Sequence, residues 1–100
     1  MRIREMAGIV DAEIIQGVFE DGELAGGYTS DLLSDVMAHA KTGEALITIQ
    51  AHKNTVAVAS LIGAPAIVVC NGRPVPEDMV EAARDEGIAI VRTGDRKSVV

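Results

Sequence analysis

Gln50, His52 and Asn54 stand where the apolar run Ala45-Leu46-Ile47 gives way to the helix-forming run from Val56 to Ile62. A strand that turns into a helix leaves unpaired backbone N–H groups at the helix start, and in open α/β sheets ligands gather at the strand carboxyl ends. Two amides and an imidazole at such a junction could hydrogen-bond a small polar or anionic ligand. Asn71, Gly72 and Arg73 follow the next apolar run, where the glycine admits close approach to backbone and the guanidinium can fork onto phosphate or carboxylate. Arg92 and Thr93 follow the last run and complete the same edge. The competing structural reading makes Asn54 the cap of its helix and Asn71-Gly72 a turn.

A second candidate is Gly26-Gly27-Tyr28-Thr29-Ser30-Asp31, in which Tyr28, Ser30 and Asp31 are ligand-binding candidates. Paired glycines before a helix resemble an anion-holding loop, although neither GxGxxG nor GxxxxGK[ST] is present. Asp31 and Asp35 share a helical face and could hold a cation or accept protons; solvated carboxylates near a helix start are the plainer reading. His39, His52 and Cys70 lack zinc-site spacing, and no nucleophile elbow is present. No catalytic residue, metal or cofactor is therefore expected. An enzyme reading survives only with His52 as general base beside Asp31 or Asp35. It requires the imidazole to face an open cleft rather than cap backbone.

The elements that must position these groups follow from periodicity. Ile3, Met6, Ala7 and Val10 predict an opening helix, Asp11 to Gln16 a strand, and Leu24 to Tyr28 an extended piece. Leu32, Leu33, Val36, Met37 and Ala40 mark one face of a helix that starts near Ser30 or Thr29 and ends before Gly43. Strands at 45–50, 66–70 and 88–91 alternate with helices at 54–62 and 77–86, which predicts βαβ units. The expectation is a single α/β domain with a mainly parallel sheet flanked by helices, spanning 1–92, with a polar tail at 93–100. The helix at 54–62 is apolar all round, so it is either fully buried or packed on a second subunit.

Composition narrows the function classes. Nine basic and 15 acidic residues leave a net charge of −6, which argues against general affinity for nucleic acid or anionic membrane. Aromatics are 2% of the chain, so the core must be aliphatic and few rings are available to stack on bases. A single cysteine allows no internal disulfide and fits a reducing, cytoplasmic setting. The start, Met1-Arg2-Ile3-Arg4-Glu5, lacks the apolar core of a signal peptide, and no run approaches the roughly 18 apolar residues of a membrane span.

The run from Gly26 to Ala38 and that from Ile47 to Ala59 resemble stand-alone DRTGG-domain proteins. The resemblance continues through Asn71-Gly72-Arg73 and the helix before Gly87-Ile88, and so covers about residues 1–92. The phrase from Gly27 to Ala38 is its most specific part. The resemblance implies a small α/β domain similar to one found beside CBS domains in some pyrophosphatases and in phosphotransacetylase-like proteins. It also implies likeness to the N-terminal domain of HPr kinase/phosphorylase, whose kinase chemistry lies in a separate P-loop domain. This chain contains no P-loop. Gln50-Ala51-His52 and Cys70-Asn71-Gly72 stand where related forms carry Gly-Asp-Arg and Thr-Gly-Gly. Family members also usually continue into a further helix after the last strand.

The resemblance implies a regulatory or assembly role, often as a dimer, and some stand-alone members are associated with iron-hydrogenase gene clusters. It supplies no catalytic residue. The expected function is a non-catalytic, dimerising module that takes a small anionic ligand, such as a nucleotide, at the strand edge. The alternative is a protein-interaction partner of an enzyme such as an iron hydrogenase or an associated kinase.

Overall fold

The strand pattern resolves into one five-stranded sheet in a computed structural model that describes residues 2–9, 12–19, 22–29, 33–49, 51–70 and 72–94. In chain order the elements are α1 (Ile3–Ile9), β1 (Glu13–Gln16), β2 (Gly26–Thr29), α2 (Leu33–His39), β3 (Glu44–Thr48), α3 (Lys53–Ile62), β4 (Ala66–Val69), α4 (Glu77–Glu86) and β5 (Ala89–Arg92). The strands lie in the order β1-β5-β4-β3-β2. All neighbours are parallel except β1, which pairs antiparallel with β5. The α/β architecture with a mainly parallel sheet is thus the one its periodicity predicts. Among the described residues, no helix is long and apolar enough to cross a membrane.

From β2 to β5 each parallel strand sits beside its predecessor, always stepping the same way. Crossovers of one hand then lay their helices on one face. Packing agrees: Val36 of α2, Val56 and Ala59 of α3, and Met79 and Ala83 of α4 bury against Leu46, Ile67, Val69 and Ile90. The alternate strand residues, Ala45, Ile47, Ala66, Val68, Ala89 and Val91, face the other way and bury Ile3 and Ala7 of α1. Both faces of the central strands are covered, which is why β4 is buried at every position. With so few aromatics, the alanines on the α1 face let that short helix lie close to the sheet.

β1 and β2 occupy opposite edges, so the chain between them must cross the sheet. Phe19 and Leu24 pack with the α1-side cluster, placing the crossing on that face. Arg4 lies over the Phe19 ring at 4.8 Å, and Arg2 bridges to Glu23. Beside β5, β1 carries a register shift between Ile14 and Gln16. Glu13 opposes Arg92, and the two close a salt bridge of 3.0 Å.

Two helical faces differ from their sequence-based expectation. Among the described residues of the α2 stripe, Val36 is buried and Ala40 packs against the core, but Met37 is 53% exposed. On α3 only Thr55, Val56 and Ala59 are buried, while Leu61 is 70% exposed. That helix is therefore not fully enclosed within one copy of the chain.

Candidate functional site

The carboxyl ends of the central strands are stitched together by backbone hydrogen bonds. Cys70 N donates to Thr48 O at 2.9 Å, Thr93 N to Val69 O at 2.8 Å, and Gly72 N to Thr93 O at 2.7 Å. Thr48, Cys70 and Thr93 are all buried beneath this seam. Gly72 adopts φ 59, a left-handed conformation that suits glycine, so it forms a bonded turn against the end of β5. Arg73 follows on the exposed side of that turn. Arg92 instead turns to Glu13 and serves the β1–β5 pairing rather than the strand end.

At the start of α3 the cap is His52, not Asn54. His52 holds an extended conformation, φ −151 and ψ 146, and its Nδ1 accepts the Asn54 N–H at 3.3 Å. The imidazole thus stands in for the short oxygen side chains that usually satisfy the first turn. Asn54 is free of capping and exposed beside it. The enzyme reading required His52 to face an open cleft rather than cap backbone; its Nδ1 instead accepts from its own helix, which counts against a general-base role at that nitrogen.

Asn54 lines an open groove of about 290 Å³ between α3 and α4, together with Lys53, Val56, Ala57, Ala82, Asp85 and Glu86. The floor is apolar and the rim carries one cation and two carboxylates. Lys53, Asp85 and Glu86 were not singled out from the sequence. Lys53 is adjacent to Asn54 in the first helical turn and was legible as a site residue there. Asp85 and Glu86 close α4, and only helix packing brings them to α3. His52, Gly72, Arg73 and Tyr28 do not line this groove. Four other candidates, Ser30, Asp31, Gln50 and Asn71, lie outside the described residues, as does the chain beyond 94.

Tyr28 belongs to a separate cluster at the edge of the sheet. Its hydroxyl donates to Asp35 Oδ2 at 2.8 Å, and His39 Nδ1 lies 3.0 Å from Asp35 Oδ1. Asp35 and His39 are one turn apart on α2, so the carboxylate bridges helix and strand. The hydrogen bond to Asp35 raises the Tyr28 pKa above the ordinary phenol value of 10.0, aided by desolvation and by the negative charges of Asp35 and Glu44. A group whose pKa is raised by folding stabilises the fold below its unfolded pKa. That contribution disappears as the pH climbs through the folded value.

Tyr28 is the only tyrosine and there is no tryptophan, so the phenolate absorbance band reports this one group. We expect a spectrophotometric titration of the folded protein to give a midpoint above 10.0, and Asp35→Asn to move it back down. An unchanged midpoint in that variant would show that the carboxylate is not its cause.

No family model and no curated protein matches the chain. Among solved structures it is similar to the crystal structure of the CBS and DRTGG domains of the regulatory region of Clostridium perfringens pyrophosphatase, complexed with the activator diadenosine tetraphosphate. The TM-score is 0.74 at 13% sequence identity, over 97% of this chain and 43% of that one. This chain therefore spans less than half the length of that structure. At so low an identity the likeness is one of architecture, and it gives the chain a fold like that of a CBS and DRTGG regulatory region.

Proposed function

We propose that this domain is a non-catalytic regulatory or assembly module of the DRTGG kind. In this reading it works as a homodimer and takes a small anionic ligand, such as a nucleotide, at the carboxyl edge of the sheet. The observation that carries the reading is the shared architecture with a pyrophosphatase regulatory region solved with a dinucleotide polyphosphate activator. Local chemistry supports it: Lys53 at the exposed start of α3 offers positive charge beside the helix N-terminus, and Arg73 is exposed beyond the Gly72 turn. Asp85 and Glu86 stand across the groove from Lys53, so a polyphosphate is expected on the Arg73 side of α3 rather than within the groove.

Calorimetric titration with ATP and with diadenosine tetraphosphate tests this. We expect saturable binding that Arg73→Ala or Lys53→Ala weakens by about fivefold to tenfold, the loss of one charge-assisted contact. Absence of heat at millimolar nucleotide removes the ligand, and light scattering on the same samples reads the dimer. The second reading, a protein-interaction partner of an enzyme, is favoured by the exposed Ile9, Val18, Met37 and Leu61. It predicts no nucleotide binding and capture of an enzyme subunit from the native cell.

A further inference from the structure

Among the described residues strand β2 is an open edge, with opposite chemistry on its two sides. It pairs with β3 in regular parallel register, Gly26 with Glu44 through Thr29 with Ile47. Among the described residues, no backbone group of Gly26–Thr29 bonds outside that ladder, and three of the four residues are exposed. The opposite edge, β1, is guarded by a register shift and by Glu13, devices that discourage strand addition. β2 has neither: Gly-Gly-Tyr-Thr contains no charge and no proline, and its register is unbroken.

Alternation sorts the surroundings of this edge. Tyr28 packs with Leu46 on the side of α2, so Gly26 and Glu44 lie on that side as well. There the Asp35 carboxylate is fixed by Tyr28 and His39, and Glu44 Oε2 lies 3.6 Å from where a Cβ on Gly26 would be. Lys41 meets Glu44 through its backbone N–H, at 2.6 Å, which leaves the carboxylate charge uncompensated by that ammonium. On the other side Gly27 is overlaid by Ile47 Cδ1, 2.7 Å from its Cβ position, so that side is backed by an aliphatic side chain that is itself only 5% exposed. One side of the edge is acidic and the other aliphatic.

We propose that β2 is a docking edge that receives, as an added strand, an extended segment of a partner protein in which basic and apolar residues alternate. Main-chain hydrogen bonds to the open ladder supply the adhesion. The basic side chains fall toward Asp35 and Glu44, and the apolar ones toward Ile47. A second copy of this chain is a poor occupant, because its own Gly-Gly-Tyr-Thr brings no cation to those carboxylates and the net charge of −6 opposes pairing. The surface is distinct from the α3 start, so it stands or falls separately from nucleotide binding.

The test is a titration of the isotope-labelled full chain, followed by amide NMR, with a blocked hexapeptide alternating lysine and valine. The comparison peptide alternates glutamate and valine. The expected result is saturable shifts centred on residues 26–29 with the basic peptide alone. Combining Asp35→Asn with Glu44→Gln, which keeps the acceptors of Tyr28 and Lys41, should weaken binding by about fivefold, the scale of two exposed charge pairs. The wild-type peptide comparison decides the matter even if that variant folds poorly. The proposal is overturned by no shift at millimolar peptide, by equal response to both peptides, or by shifts centred elsewhere. It is equally overturned by concentration-dependent shifts at 26–29 without peptide, which would mean that a second copy takes the edge.

Discussion

Gln16→Leu is expected to destabilise the domain by about 2 kcal/mol, close to the desolvation cost of one buried carbonyl left without a partner. Gln16 is 3% exposed at the end of β1. Its Nε2 donates to Ile88 O at 2.9 Å and to Val18 O at 3.0 Å, while its Oε1 accepts Val18 N at 2.8 Å. These groups are not equivalent. Val18 is 60% exposed and can turn its backbone to water, whereas Ile88 is only 4% exposed. The loss is therefore dominated by the Ile88 carbonyl.

The reason Gln16 is needed lies at the end of the ladder: β1 pairs with β5 as far as Gln16 opposite Ile90, and Ile88 lies beyond that last pair. A side-chain amide, carrying both donor and acceptor, completes the ladder. On a domain of this size, about 2 kcal/mol lowers the melting temperature by roughly 10 °C. Gln16→Glu is a sharper control. It keeps an acceptor for Val18 but, when ionised, sets negative charge against two carbonyl oxygens. Its loss should exceed that of Gln16→Leu at neutral pH and shrink as the pH falls, because the neutral carboxyl can again donate. If both variants melt within about 2 °C of the wild type, the amide is not holding the edge strand.

Gln16 also shows where sequence reading stops. Its strand was legible from Ile14 and Ile15, but its partner, Ile88, is far off in sequence and only the fold brings them together. The parallel strands were legible for the opposite reason. Ile67, Val68 and Val69 are buried on both faces, so apolarity is continuous and does not depend on which neighbour pairs with which. Strand order carries no such local signature, and the antiparallel placement of β1 at the far edge could not be read from spacing.

At the candidate site the location was more legible than the roles. The junction near residue 52 was visible as a change from apolar to polar residues at a helix start. The cap went to His52 because its Nδ1 can reach the second helical N–H, a choice of rotamer and backbone that a residue type does not announce. In sequence the paired glycines Gly26-Gly27 resemble an anion-holding loop. At Gly27 the Ile47 methyl lies where a Cβ would be, a contact between strands. Lys53 joined Asp85 and Glu86 only through the packing of α3 on α4.

Gly63→Ala is expected to cost about 2–3 kcal/mol, and Gly87→Ala only about 1 kcal/mol, although both glycines do the same local job. Each is the left-handed C-cap of its helix, Gly63 at φ 74 after α3 and Gly87 at φ 67 after α4. Each donates its N–H back into the last turn, and the following residue completes the motif: Ala64 N to Ala59 O at 2.8 Å, Ile88 N to Ala83 O at 2.9 Å. The conformational penalty of an L side chain at positive φ is therefore common to both.

Their surroundings separate them. A Cβ on Gly87 meets nothing within 4 Å, whereas one on Gly63 lies 2.9 Å from Thr42 Cγ2. The backbone of the turn that carries Thr42 is tied by Gly43 N bonding to Gly63 O at 3.1 Å, so the methyl can yield only by a turn of its own side chain. Any relief that moves the backbone instead strains the entry to β3, next to the β2 edge. The decisive measurement is a double-mutant cycle: Thr42→Ser removes the methyl, so Gly63→Ala in that background should cost no more than Gly87→Ala, by denaturant unfolding. Equal costs for Gly63→Ala with and without the Thr42 methyl would assign the whole effect to backbone conformation and none to the contact.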